Sequence, residues 1–166
     1  MLAYVSATQR TQSIRGPVTD EATERTTIAA PPERCFAIAL DFDRYPEWAA
    51  DIKSVEVLER DAEGRGTRVR FRAAAMGQSI RYTLEYDYSD APRTLAWIQT
   101  EGDITRKLDG SYVFEPSNDG SGGTDMTYHL VAELKVPVVG FIKRRAENRI
   151  LGTALRELKA RAESTT

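Results

Sequence analysis

The chain has 166 residues, 41% hydrophobic and 29% charged, with a formal net charge of −2 and a pI near 5.6. That composition fits one globular domain. It excludes a disordered chain, and it gives no excess positive charge to draw the protein to nucleic acid. The single cysteine, Cys35, excludes an internal disulfide and a multi-cysteine zinc site. The N-terminus lacks the apolar run of a signal peptide, and no later segment approaches the roughly 20 apolar residues of a membrane span, so a cytoplasmic location and no integral membrane contact are expected.

Residues 1–21 are polar, without period 2 or 3.6, and read as a flexible N-terminal tail; the domain is expected over 22–164. ERTTIAA, from Glu24 to Ala30, predicts the first strand. PPERCFAIALDF then opens a helix with Pro32 early, where a missing N–H costs little. A second short helix is expected from Tyr45 to Ile52, with Asp43 as N-cap and Pro46 in its first turn.

From there the period is 2, which predicts strands near 54–59, 65–75, 78–88, 94–100, 105–115 and 124–136. Their connections are too short for crossover helices and carry Gly, Asp, Asn and Pro, so the sheet is expected to be an antiparallel meander. Pro137 ends the last strand. Residues 139–163 predict a long helix with Leu151, Leu155 and Leu158 on one stripe, about 36 Å long and able to cross the sheet.

Alternation divides the strands into two faces. Val69, Phe71, Ala73, Ile80, Tyr82, Leu84, Tyr86, Tyr88, Leu108, Tyr112, Phe114, Met126, Tyr128 and Leu130 share one face. Arg68, Arg70, Arg72, Arg81, Thr83, Glu85 and Asp87 share the other. The fifth strand is mixed, and the Trp97 side is taken as inward. The apolar face must lie under the final helix.

Two readings of this face compete. Its rings can pack as a solid core, or they can wall a pocket. The tyrosines favour the pocket, because each buried hydroxyl needs a partner or costs about 1–3 kcal/mol. Ligand sites combine apolar walls with a few such polar groups, in cavities of about 300–1,000 Å³. Candidate ligand contacts on the sheet are Phe71, Tyr82, Leu84, Tyr86, Trp97, Tyr112, Phe114, Met126, Tyr128 and Leu130. The short helix adds Tyr45 and Trp48, which either plug the groove or anchor that helix, and the last helix adds Phe141, Asn148, Leu151 and Leu155.

No catalytic residue, metal ligand or cofactor site stands out. The only histidine, His129, faces outward by parity, and the glycines of GRG (64–66) and GSGG (120–123) lie in hairpin turns rather than opening helices. An outer basic stripe of Arg65, Arg68, Arg70, Arg72 and Arg81 is a candidate surface for an anionic partner.

The element order, with DFDRYPEWAADIKSVEVLE (41–59), LDGSYVFEP (108–116), GGTDMTYHL (122–130) and VPVVGFIKRRAENRILGTALRELKARAE (136–163), resembles the START-like (SRPBCC) superfamily. Within it the likeness is to the polyketide cyclase/dehydrase group and its coenzyme Q-binding relatives. The resemblance implies an α+β helix-grip fold: a seven-stranded antiparallel sheet wrapped on a long C-terminal helix, with two short helices after the first strand. It also implies a hydrophobic small-molecule ligand such as a lipid, quinone or polyketide-like aromatic. The alternatives are a polyketide cyclase/dehydrase enzyme using Tyr or Arg for proton transfer, and a toxin-like protein-interaction domain using the outer face. Arg70 and Arg81 face outward by parity, which argues against the enzyme's arginine role. No nucleic acid is expected as a partner, and monomer and dimer both stay open.

Overall fold

The computed structural model describes residues 20–75 and 77–164, with the side chains of Asp20 and Phe141 left aside. In chain order the elements are β1 (Asp20–Ile28), α1 (Pro32–Leu40), a 3-10 turn (Phe42–Arg44), α2 (Tyr45–Trp48), β2 (Ile52–Arg60), β3 (Gly66–Ala75), β4 (Gln78–Asp87), β5 (Thr94–Gly102), β6 (Thr105–Pro116), β7 (Thr124–Leu134) and α3 (Gly140–Glu163). The strands form one sheet in the order β1-β7-β6-β5-β4-β3-β2, antiparallel at every pairing.

Two expectations are corrected. Residues 1–19 of the expected tail lie outside the described residues, but its last two positions belong to β1, where Asp20 pairs with Ala132 and Glu21 with Val131. Ladder bonds to β7 recruit a polar segment whose side chains carry no strand pattern. The second helix stops at Trp48 instead of Ile52, because Ala49 turns to an extended ψ of 97° and Ile52 already pairs with Ala73 of β3. Asp43 caps nothing; its carboxylate takes Arg60 Nη2 at 3.0 Å.

The sheet's two faces follow the alternation. On β5, Trp97 is 6% exposed and Ile98 54%, which settles that strand's inward side. Thr83 departs from the pattern: it is buried on the outer face, a short side chain set between the long Arg70 and Glu101 of its neighbours. Of the outer basic stripe, Arg65 pairs with Asp61 and Glu63, Arg68 with Glu59 and Glu101, and Arg70 with Glu56. Arg72 and Arg81 face each other across β3 and β4.

α3 is fastened chiefly by its second half. Leu151, Leu155, Leu158 and Ala162 are buried in the core. Polar ties then lock the end of the helix: Lys159 Nζ donates to Thr27 O at 2.7 Å, Ala29 N to Glu163 Oε1 at 2.8 Å, and Arg34 Nε to Ala162 O at 2.7 Å. Arg34 also caps Ser164 O at 2.8 Å, a cation set at the negative end of the helix dipole. The first half of α3 has no side-chain cap and no acidic residue in its first turn.

Candidate functional site: a cavity beneath the final helix

Between the sheet and α3, along its stretch from Ile142 to Glu157, lies a cavity of ≈ 230 Å³. Its floor comes from inward positions of β3 to β7, one end from α2 and the start of β2, and its cover from α3. Alanines leave the space: Ala73, Ala74 and Ala75 on β3, Ala132 on β7, and Ala146 and Ala154 on α3 all line it. Where the inward residues are large, the rings fill the volume themselves. Trp97, Tyr112 and Tyr128 stack edge to face with centroids 4.9 and 4.7 Å apart, while Phe71 and Tyr82 lie nearly parallel at 5.3 Å.

Of the residues expected from sequence, Tyr45, Trp48, Phe71, Tyr82, Leu84, Tyr86, Trp97, Tyr112, Tyr128 and Leu130 line the cavity together. Phe114, Met126, Leu151 and Leu155 do not; they are buried in the solid core, where Phe114 meets Phe36 edge to face. Asn148 is exposed, one face round from the cavity stripe. Phe141 has no described side chain. Tyr45 both anchors and lines: its hydroxyl donates to Ala39 O while its ring packs on Phe42, Trp48 and Phe71.

Of the walls missed from sequence, α3 supplies more than any other single element. Ile142, Ala146, Ile150, Thr153, Ala154 and Glu157 form a stripe at steps of three and four beside the leucine stripe. Lys143 and Glu147 join it. Glu147 is buried, Lys143 Nζ lies 3.5 Å from its Oε1, and Lys143 also donates to Ala132 O at 2.7 Å. The signal is present as an i,i+4 Lys–Glu pair, but that spacing is also the mark of a solvated helix face.

The phenols decide what the cavity can do chemically. Burial pushes Tyr45, Tyr82, Tyr86, Tyr112 and Tyr128 above the usual phenol range, so they stay protonated near neutrality. The neighbouring Tyr112 and Tyr128 phenols act on each other, easing ionisation of the first and opposing that of the second. The Tyr88 hydroxyl turns away to Gly66 O at 2.6 Å. Among the described residues the Tyr82 and Tyr86 hydroxyls have no hydrogen-bond partner, yet neither is sealed from space, so both open on the cavity. The lining contains no arginine or histidine among the described residues. Arg70 is held outside by Glu56 and Arg81 is exposed. No group of three or more His, Cys, Asp or Glu among the described residues is placed to hold a metal ion.

A seven-stranded antiparallel sheet gripping a long C-terminal helix, with two short helical segments after the first strand, is the START-like helix-grip fold. Residues 19–163 match the family described as polyketide cyclase / dehydrase and lipid transport, and the chain belongs to that family. Among solved structures it is similar to a START superfamily protein from Mycobacterium smegmatis, with a TM-score of 0.80 and 26% identity over 86% of this chain and 97% of that one. A protein from Thermus thermophilus matches with a TM-score of 0.70 and 28% identity over 86% and 97% of the two chains. The Zhui aromatase/cyclase from a Streptomyces species shares the fold at 18% identity, with a TM-score of 0.76 over 87% and 94%. No protein of curated function matches the chain.

Proposed function

We propose that the protein binds and carries a small, mostly apolar molecule bearing a hydrogen-bond acceptor, such as a quinone, a polyketide-like aromatic or the end of a lipid chain. The observation that carries this reading is the pair of Tyr82 and Tyr86 hydroxyls, held protonated and facing space without a protein partner. A ligand carbonyl or hydroxyl would satisfy them, and apolar walls would supply affinity at about 25 cal/mol per Å² buried. The volume of ≈ 230 Å³ lies below the about 300–1,000 Å³ of ordinary ligand sites, which suits a compact ring system rather than a whole lipid. Cys35, free and buried, suits a reducing compartment such as the cytoplasm.

Native mass spectrometry of the full chain, taken directly from cells, is expected to show a retained apolar molecule. Tyr82→Phe and Tyr86→Phe should each weaken its binding by about 0.5–1.5 kcal/mol with little change in thermal stability. No retained mass, together with identical titrations of the parent and both variants, would remove the carrier reading. Turnover of a poly-β-ketone with little retained mass would favour the cyclase alternative, although the arginines that such chemistry would use lie outside the cavity.

A further inference from the structure

The described chain exposes few large apolar side chains, and most of them gather in one place. Ile98 (54%) stands apart on the sheet, whereas Val136 (56%), Val139 (59%), Ile142 (45%) and Ile150 (44%) all fall in the β7–α3 connection and the first half of α3. Ile142 and Ile150 also line the cavity, so this exposed apolar ridge is the cavity's rim.

The same stretch is basic. From residue 135 to 150 it carries Lys135, Lys143, Arg144, Arg145 and Arg149 against one acidic residue, Glu147, in a chain whose net charge is −2. Glu147 is buried beside Lys143 and projects no negative charge outward. Arg144, Arg145 and Arg149 are exposed, and among the described residues none of them enters an ion pair. The contrast is with Arg68, Arg70 and Arg106 of the sheet, each held by a glutamate.

Fold stability does not explain the cluster. Cations in the first turns of a helix oppose its dipole, and Arg145 and Arg149 are like charges one turn apart. An apolar ridge flanked by unpaired cations is what an anionic membrane surface meets favourably: the aliphatic side chains enter the interface and the arginines reach the headgroups.

We propose that the rim formed by the β7–α3 connection and the first half of α3 docks on an anionic lipid bilayer, with the cavity mouth facing the lipid. The proposal goes beyond ligand binding and stands or falls without it. No helix of the described chain is long and apolar enough to cross a membrane, so the contact is peripheral.

The test is co-sedimentation of the full chain with vesicles of phosphatidylcholine mixed with phosphatidylglycerol, against vesicles of phosphatidylcholine alone. Binding is expected only to the anionic vesicles and is expected to fall as salt rises. The Arg144→Gln/Arg145→Gln double variant should bind about thirtyfold more weakly, from the loss of two cations at the surface. Val139→Ser, which leaves every charge in place, should also weaken binding. None of these residues lines the cavity, so small-molecule titrations of the variants should match the parent, which separates failure of this proposal from failure of the carrier reading. Equal weak binding to both vesicle types, or variants that bind as the parent does, would overturn the proposal. So would a dimer in solution that Val139→Ser dissociates, in a protein that ignores vesicles, because the ridge would then serve a second copy of the chain. Unchanged thermal unfolding of these exposed-site variants is the folding control.

Discussion

Gly110 sits opposite Trp97 on the β5–β6 ladder, and a Cβ there would meet Trp97 Cζ2 at 2.6 Å and the His129 carbonyl oxygen at 2.5 Å. The indole can lie across the sheet, donating to Leu108 O at 3.1 Å, only because nothing projects from position 110. Gly110→Ala is therefore expected to lose about 1–3 kcal/mol of stability through overpacking, read from urea unfolding, with an altered tryptophan emission. Asp109, next along, is a residue whose role sequence alone misses. Its carboxylate takes the Gln99 N–H at 2.9 Å, beyond the last paired residues of β5 and β6. Alternation predicts which side a residue faces, but it carries no information about where a ladder stops and a side chain must replace it.

α3 contains two neighbouring stripes with opposite duties, and adjacent residues separate them. Leu151 is fully buried under the helix, so Leu151→Ala is expected to cost about 2–5 kcal/mol by equilibrium unfolding. Ile150 borders the cavity mouth and is largely exposed, and Ile150→Ser should change stability by no more than about 0.5 kcal/mol in the same measurement. The leucine stripe is legible in the sequence because burial of one helix face leaves a repeat of large apolar residues. The cavity stripe is not, since Ala146 and Ala154 are small, Lys143 and Glu147 are charged, and their purpose is to leave a gap. The same logic explains α2: Pro46 announces a helix start, while its early stop depends on Ile52 finding a partner in β3, a nonlocal contact. The strands are readable because arginines and glutamates mark their outer face, and the start of β1 is not, because its composition shows no such contrast.

For the molecule as a whole, the buried phenols set an alkaline limit. Tyr45, Tyr82, Tyr86, Tyr112 and Tyr128 have pKa values raised by burial in the folded state, while in the unfolded chain they ionise near about 10. Below that pH both states hold the proton, and these groups contribute no pH dependence. Above it the unfolded state releases protons that the native state keeps, so stability must fall as pH rises. Tyr88, whose half-burial pushes it up to about 12 against the pull of Arg65, is expected to titrate first and without unfolding. The remaining phenolate absorbance should then appear in one cooperative step coincident with loss of circular dichroism. A gradual rise in absorbance at constant ellipticity would place those rings in water.

The cavity divides α3 into a half welded to β1 and α1 and a half that spans a gap. A guest seated there becomes a third layer, touching sheet and helix at once and supplying contacts that the first half of α3 otherwise lacks. Occupancy and folding are then thermodynamically linked: free ligand at about 100 times its Kd adds about 2.7 kcal/mol to the folded state. A loaded chain would be harder to unfold than an empty one, and handing over the cargo would return the protein to its weaker form.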